Sequence, residues 1–246
     1  MRLAIKFKSE KIPMAYSMMI VSLIKSALQK SDSTYFESLY YFNGKKNKKT
    51  KPYSFAFRMS DFNIDNENNE FQLKGESTLY ITTSDIMFFT NLYNGIIKIK
   101  EEVNYKGYIY KITSIRKLQE KKIKKEENLF KAISPIVICN KQGKFLSPKD
   151  DEFEKELNYT ANMILKNLRG TGLKRSLIFT EVMMKKRVMK EKIDDFINET
   201  GKEFIYITGY EGVFKLLGDI EDIEFLYNSG ISLRRSQGAG YLEIMC

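Results

Sequence analysis

Histidine and tryptophan are both missing from the 246 residues. The first absence excludes whole classes of chemistry: Ser-His-Asp and Cys-His pairs, His-ligated zinc, and haem held by a proximal His. Any proton transfer falls to Tyr, Lys, Asp, Glu, Cys, water or the substrate itself. Cysteine occurs twice, at Cys139 and Cys246. That is too few for a disulfide scaffold or a Cys-only metal site, and it suits a reducing compartment. The pairs Asp150/Asp151 and Asp194/Asp195 stand in helix-start or turn contexts and read as caps, so neither metal nor cofactor is expected. Long hydrophobic runs are lacking too. The one candidate, residues 14–24, has about half of the ~20 residues a membrane span needs and stops at Lys25. Arg2, Lys6 and Lys8 precede it as in a signal peptide, but residues 2–8 alternate like a strand and no small-residue cleavage site follows. The sequence reads as cytoplasmic, with no membrane partner.

Positive charge is what the chain has in excess. Lys plus Arg number 41 against 31 Asp plus Glu, a formal +10, while hydrophobic residues at 43% and charged residues at 29% are ordinary globular usage. The excess is uneven: residues 1–125 hold 23 basic and 12 acidic side chains, residues 126–246 hold 18 and 19. A basic half joined to a near-neutral one suggests a polyanion gripped mainly by the first. A lysine-rich proteome gives the same bias, so the local clusters matter more. Lys45, Lys46, Lys48, Lys49 and Lys51 fall together in a loop-like stretch. Lys185, Lys186, Arg187, Lys190 and Lys192 lie on a strand-like one. Both are candidate phosphate contacts. A third group, Lys117 to Lys125, reads as a solvated face.

Apolar periodicity gives one layout twice. Residues 2–8 alternate as a strand and 15–29 carry helical spacing. A further turn or two of helix at 34–41 has Asp32 or Ser33 as N-cap. Strands follow at 53–59 and 77–83 around a polar turn at 63–70, then a helix at 85–94 stopped by Gly95 and a strand at 108–115. The second round runs strand 132–140, helix 151–168, strands 176–190 and 204–216 with 193–200 between them, helix 220–227 and strand 241–245. The expectation is an α+β protein of two tandem ferredoxin-like (βαββαβ, RRM-like) domains, 1–125 and 126–246.

The most distinctive string is Gly230-Ile231-Ser232-Leu233-Arg234-Arg235-Ser236-Gln237-Gly238-Ala239-Gly240. It follows a helix and opens a strand, the reverse of a dinucleotide loop, and it lacks the Gly-Lys-Ser/Thr of a P-loop. What remains is a backbone able to approach a phosphate, with Arg234, Arg235, Ser236 and Gln237 as donors and amide groups forming an anion nest. Together with Tyr206-Ile207-Thr208-Gly209-Tyr210-Glu211-Gly212-Val213-Phe214-Lys215, the opening Arg2-Leu3-Ala4-Ile5, and Ser134-Pro135-Ile136-Val137, this string resembles the CRISPR-associated repeat-processing endoribonucleases. These belong to the repeat-associated mysterious protein superfamily.

The resemblance covers essentially the whole chain and implies two ferredoxin-like domains. It also implies metal-independent cutting of CRISPR repeat RNA to a cyclic phosphate, with a repeat-RNA-binding subunit of a multiprotein interference complex that cuts slowly or not at all as the alternative the missing histidine leaves open. Other CRISPR-associated proteins, or a second copy of the chain, are the further partners it leaves open. It implies RNA contacts at Lys45, Lys46, Lys185, Lys186, Arg187 and Lys190, and along Arg234, Arg235, Ser236, Gln237, Gly238 and Gly240, with Arg235 or Gln237 reaching a base or 2′-OH. The string departs from the family pattern at Ser232, where glycine is usual, and at Ala239, where an aromatic is usual. Where family members place a histidine after the first helix this chain has Tyr40, with Tyr41 as the alternative, and Lys51 matches the family lysine. A tyrosine that some members carry in the first helix is Val21 here. Tyrosine and lysine titrate near 10 and 10.4, so neither is a ready base at neutral pH. Tyr40 and Tyr41 are also the kind of residue that more often packs a core.

Overall fold

The computed structural model describes residues 1–42, 44–47, 49–99, 102–192 and 201–245. Asn43, Lys48, Cys246 and the segment 193–200, which includes Asp194 and Asp195, lie outside them.

The first half runs β1 (Arg2–Ser9), β2 (Lys11–Pro13), α1 (Ser17–Ser31), α2 (Ser33–Tyr40), β3 (Tyr41–Phe42), β4 (Lys45–Lys46), β5 (Tyr53–Met59), β6 (Phe62–Asp65), β7 (Glu70–Leu73), β8 (Ser77–Thr83), α3 (Ile86–Lys98), β9 (Val103–Tyr105) and β10 (Tyr108–Leu118). The second runs β11 (Glu127–Ile136), α4 (Phe153–Arg169), β12 (Ile178–Glu191), β13 (Ile205–Leu217), α5 (Ile220–Ser229), a single 3-10 turn at Arg235–Gln237 and β14 (Leu242–Ile244).

The two larger sheets among the described residues are antiparallel, ordered β5-β8-β1-β10-β9 and β12-β13-β11-β14. Apart from the added edge strand β9, both follow the interleaved order that a βαββαβ unit gives. The protein is two tandem ferredoxin-like folds. In the first sheet Ile5 pairs with Leu79 on one side and Ile115 on the other. Leu3, Ile5 and Phe7 then join Met19, Ile20, Leu23 and Ile24 of α1 and Phe88, Leu92 and Ile96 of α3 in one buried cluster. The second cluster joins Phe130, Phe214 and Leu216 of the sheet to Leu157, Ala161 and Leu165 of α4 and Leu226 of α5.

Local signals explain most boundaries. Asp32 caps α2 by accepting from the Tyr35 amide at 3.0 Å, and Asp85 caps α3 through the amides of Met87 and Phe88. Gly170, in the left-handed region, ends α4. Gly95 is a correction: it does not stop α3, which continues to Lys98. A Cβ there would stand 1.9 Å from the Ala27 carbonyl oxygen of α1, so this glycine is needed for the helices to cross closely. Where the sequence suggested a bare turn at 63–70, β6 and β7 form a hairpin that also pairs with β2.

The two halves are joined through buried polar contacts. Arg2 lies between the rings of Tyr227 (3.8 Å) and Tyr241 (4.7 Å) and donates to the Tyr227 and Leu242 carbonyls at 3.0 and 2.6 Å. Ser54 donates to the Ala239 carbonyl at 2.8 Å, and Thr82 to that of Asn228 at 2.8 Å.

Candidate functional site

Lys51 stands in the short approach to β5, on the flank of α1 and α2. Helix α2 ends at Tyr40, whose ring is buried (9% exposed) and packs on Phe36 at 5.3 Å. Two ammonium groups lie over that ring: Lys25 Nζ from the middle of α1, 4.8 Å from its centroid, and Lys51 Nζ, at 5.3 Å. The Lys51 ammonium is aimed by its own loop, donating to the carbonyls of Asn47 at 2.8 Å and Lys49 at 2.9 Å.

Half-burial disfavours charge on both lysines. It draws Lys51 down to about 8, with repulsion from Lys25 as the second cause. Lys25 is lowered by burial first and by Lys46 second. An aromatic face partly offsets this, each cation–π contact being worth ~0.5–2 kcal/mol.

The Tyr40 hydroxyl does something else. It shares a hydrogen bond with the buried Tyr53 hydroxyl at 3.2 Å, and burial pushes it up to about 12 against that bond. What Tyr40 presents to its two lysines is therefore a ring face rather than a proton. Tyr41 lies outside this cluster on the exposed β3–β4 hairpin, where it pairs with Lys46 while Phe42 pairs with Lys45. Val21 is buried in the core of the first half.

Lys25 escaped the sequence reading because it looked like the polar stop of an apolar run. Its signal was present nonetheless: it sits one residue beyond Ile24 and two before Ala27, on a helix face that is mostly core.

The string 230–240 differs from a mobile phosphate cradle. Its amides at Ile231, Leu233, Gln237, Gly238 and Gly240 donate to protein carbonyls, those of Gly240, Val137, Arg234, Arg235 and Pro135 in turn. They are not free to form an anion nest. Gly238 is required because its φ is +94° and a Cβ would meet the Phe55 ring at 2.9 Å. Gly238 thus serves close packing between the halves, and Gly240, where a Cβ would meet Ser232 and Ile231 at 2.6–2.7 Å, close packing within the string.

Arg235 is a second correction. It is 4% exposed, donates to the Ser229 carbonyl at 2.5 Å and the Lys51 carbonyl at 3.0 Å, and burial lowers it to about 10. It cannot reach a base or 2′-OH; it holds the backbone of Lys51 in place. Ser232, at the position where glycine was expected, is buried and accepts from the Val137 amide at 2.8 Å. Ala239 is buried with Val137 and Ile207.

Arg234, Ser236 and Gln237 do reach the surface. Arg234 donates to Gln237 Oε1 at 3.1 Å and to Glu191 Oε2 at 3.4 Å. Glu191 is fully buried at the end of β12. Burial pushes its carboxyl up to about 7, opposed by Arg234, and among the described residues its Oε1 has no hydrogen-bond partner. Lys51, Arg234, Ser236 and Gln237 line one groove of about 470 Å³ between the two halves.

On β12 the strand period puts Lys185 and Arg187 on the same face as Glu191, and Lys186 on the other. All three cations are exposed. Lys185 pairs with Glu211 of β13 at 3.4 Å. Lys190 is committed within the fold, to Asn69 and to the Phe204 ring at 3.9 Å. Among the described residues no cluster of His, Cys, Asp or Glu is placed to hold a metal ion, and no helix is long and apolar enough to cross a membrane.

Residues 118–244 match the family model described as CRISPR associated protein Cas6, C-terminal. The chain belongs to the Cas6 family. By sequence, no curated protein matches it. Solved Cas6 structures show the same fold across the whole length. The product of a Cas6-related gene from Pyrococcus furiosus is 21% identical, with a TM-score of 0.81 over 100% of this chain and 98% of that one. An RAMP protein binding different RNA substrates is 19% identical, at 0.78 over 100% of both. A Thermus thermophilus Cas6, in a product complex, is 14% identical, at 0.66 over 99% of both.

Proposed function

We propose that this Cas6-family protein is an endoribonuclease that binds CRISPR repeat RNA and cuts it without a metal ion, leaving a cyclic phosphate. The observation that carries the reading is Lys51, half-buried with Lys25 over one ring and lining the groove that also presents Arg234, Ser236 and Gln237. A lysine drawn to about 8 is roughly one-tenth amine at pH 7, so Lys51 can take the 2′-OH proton. The O2′–P bond then forms, the P–O5′ bond breaks, and the leaving oxygen takes a proton from the Lys25 ammonium or from solvent. Lys25 also offsets the charge gathering on phosphorus. In the same proposal residues 1–125 supply the chemistry and 126–246 align the strand, with Lys185 and Arg187 as phosphate contacts on one face of β12.

The test is single-turnover incubation of the protein with repeat RNA in EDTA, with the product ends analysed. Cleavage to a 2′,3′-cyclic phosphate is expected. A second reading, repeat-RNA binding without cutting, is favoured by the two carbonyls that hold the Lys51 ammonium and by the fold shared with an RAMP protein that binds different RNA substrates. A gel shift with intact RNA after long incubation at pH 8–9 would select it.

A further inference from the structure

The α4 face that borders the groove carries a feature the fold leaves unused. Tyr159, Met163 and Asn167 follow one another at four-residue spacing and so form one stripe along the helix. Helix α4 buries Leu157, Thr160, Ala161, Ile164 and Leu165 instead. Tyr159 is 62% exposed, Met163 38% and Leu233, across the groove, 37%. The stripe is fixed in place at its far end, where Asn167 donates to the Thr50 hydroxyl at 3.0 Å, beside Lys51. Tyr159 and Met163 line the same groove as Lys51 and Arg234, and among the described residues no carboxylate lines it.

An exposed apolar strip facing a wall of cations suits a molecule with flat apolar rings joined by anions. An unpaired stretch of RNA has that chemistry: bases stack on aromatic side chains while lysines and arginines hold the phosphates. The glycine-rich string has no aromatic residue of its own, and Tyr159 is the aromatic residue among the described residues that line the groove.

We propose that Tyr159 is a substrate-positioning residue: its ring stacks with an unpaired nucleobase next to the phosphate held at Lys51, with Met163 and Leu233 forming the apolar walls. The proposal rests on the endoribonuclease reading and deepens it. Stacking immobilises the nucleotide beside the scissile bond and favours the in-line approach of its 2′-OH, which raises the rate without touching the reacting atoms.

The experiment compares wild type, Tyr159→Phe and Tyr159→Ala on single-stranded repeat RNA bearing 2-aminopurine at one or other nucleotide flanking the cleaved phosphate. Stacking quenches the fluorophore. The expected result is quenching by wild type and Tyr159→Phe that is lost in Tyr159→Ala. Tyr159→Ala also lowers single-turnover kcat/KM about 5- to 150-fold, the range of one base–aromatic stack. That penalty disappears on RNA made abasic at the same nucleotide. Because the side chain is exposed, Tyr159→Ala should melt with wild type.

Three results overturn the proposal: unchanged quenching in Tyr159→Ala, unchanged kinetics, or a penalty that persists on abasic RNA. The last assigns the residue to the fold or to a protein-facing surface. If wild type binds RNA but does not cut it, the endoribonuclease reading fails, while quenching and affinity still decide the stack.

Discussion

Lys25 and Lys51 face one aromatic ring from two elements, half-buried and repelling each other. Lys185, Lys186 and Arg187 stand in water on an edge strand of the second sheet. The residue types are almost the same, but the surroundings divide their work. Burial makes the ammonium form costly, which lowers both lysines of the first pair and brings Lys51 down to about 8. Exposed cations of the second kind suit the replacement of a polyanion's counterions. The chain's basic side chains therefore stand in two kinds of surroundings that a charge count cannot separate.

The sharpest way to break this comparison is Lys51→Ala. It should lower single-turnover cleavage about 10²- to 10⁴-fold, the usual loss on removing a general base, with the Kd for repeat RNA within about threefold, read by filter binding. The pH dependence is next. The base is the neutral amine, so kcat/KM should climb about tenfold per unit below pH 8 and level off above it. Lys25→Met removes the neighbouring positive charge and raises Lys51, so the whole profile should move to higher pH and the rate at pH 7 should fall. A profile that does not move would mean the lysines are uncoupled.

The double variant Lys185→Ala/Arg187→Ala addresses the other side. It should weaken RNA binding at all salt concentrations and flatten the slope of log K against log salt by ~1.4, about 0.7 per phosphate contact on single-stranded RNA. The rate at saturating RNA should stay within about twofold. The smallest effect is expected from Tyr40→Phe: the hydroxyl faces Tyr53 rather than the groove, so the cleavage rate should remain within about twofold. Tyr40→Leu, which removes the ring face, should cost more.

The fold was legible because its signals are local and redundant. Alternation at 2–8, helical spacing at 15–29 and the caps at Asp32 and Gly170 each act within a few residues. Gly95 misled because its reason is tertiary: the glycine that would end an isolated helix is here the point where α1 and α3 touch. The site was half legible. Lys51 could be matched to a family position, but nothing in the spacing of Tyr40 shows which way a phenol points. Arg235 and Arg234 are neighbours of the same type, and only packing makes one a buried tie and the other a surface cation. Glu191 ends a basic strand and nothing in the spacing singles it out, although the fold buries it completely.

Arg2 has a consequence for the order of folding. The carbonyl groups and rings that receive its guanidinium come from Tyr227, Tyr241 and Leu242, 225 to 240 residues further along. During synthesis the first sheet can assemble long before those partners leave the ribosome. Until they arrive its guanidinium stands in water, and its burial waits on the second half. The opening strand thus acts as a late latch, and a truncation of the last twenty residues should loosen the first half as much as the second.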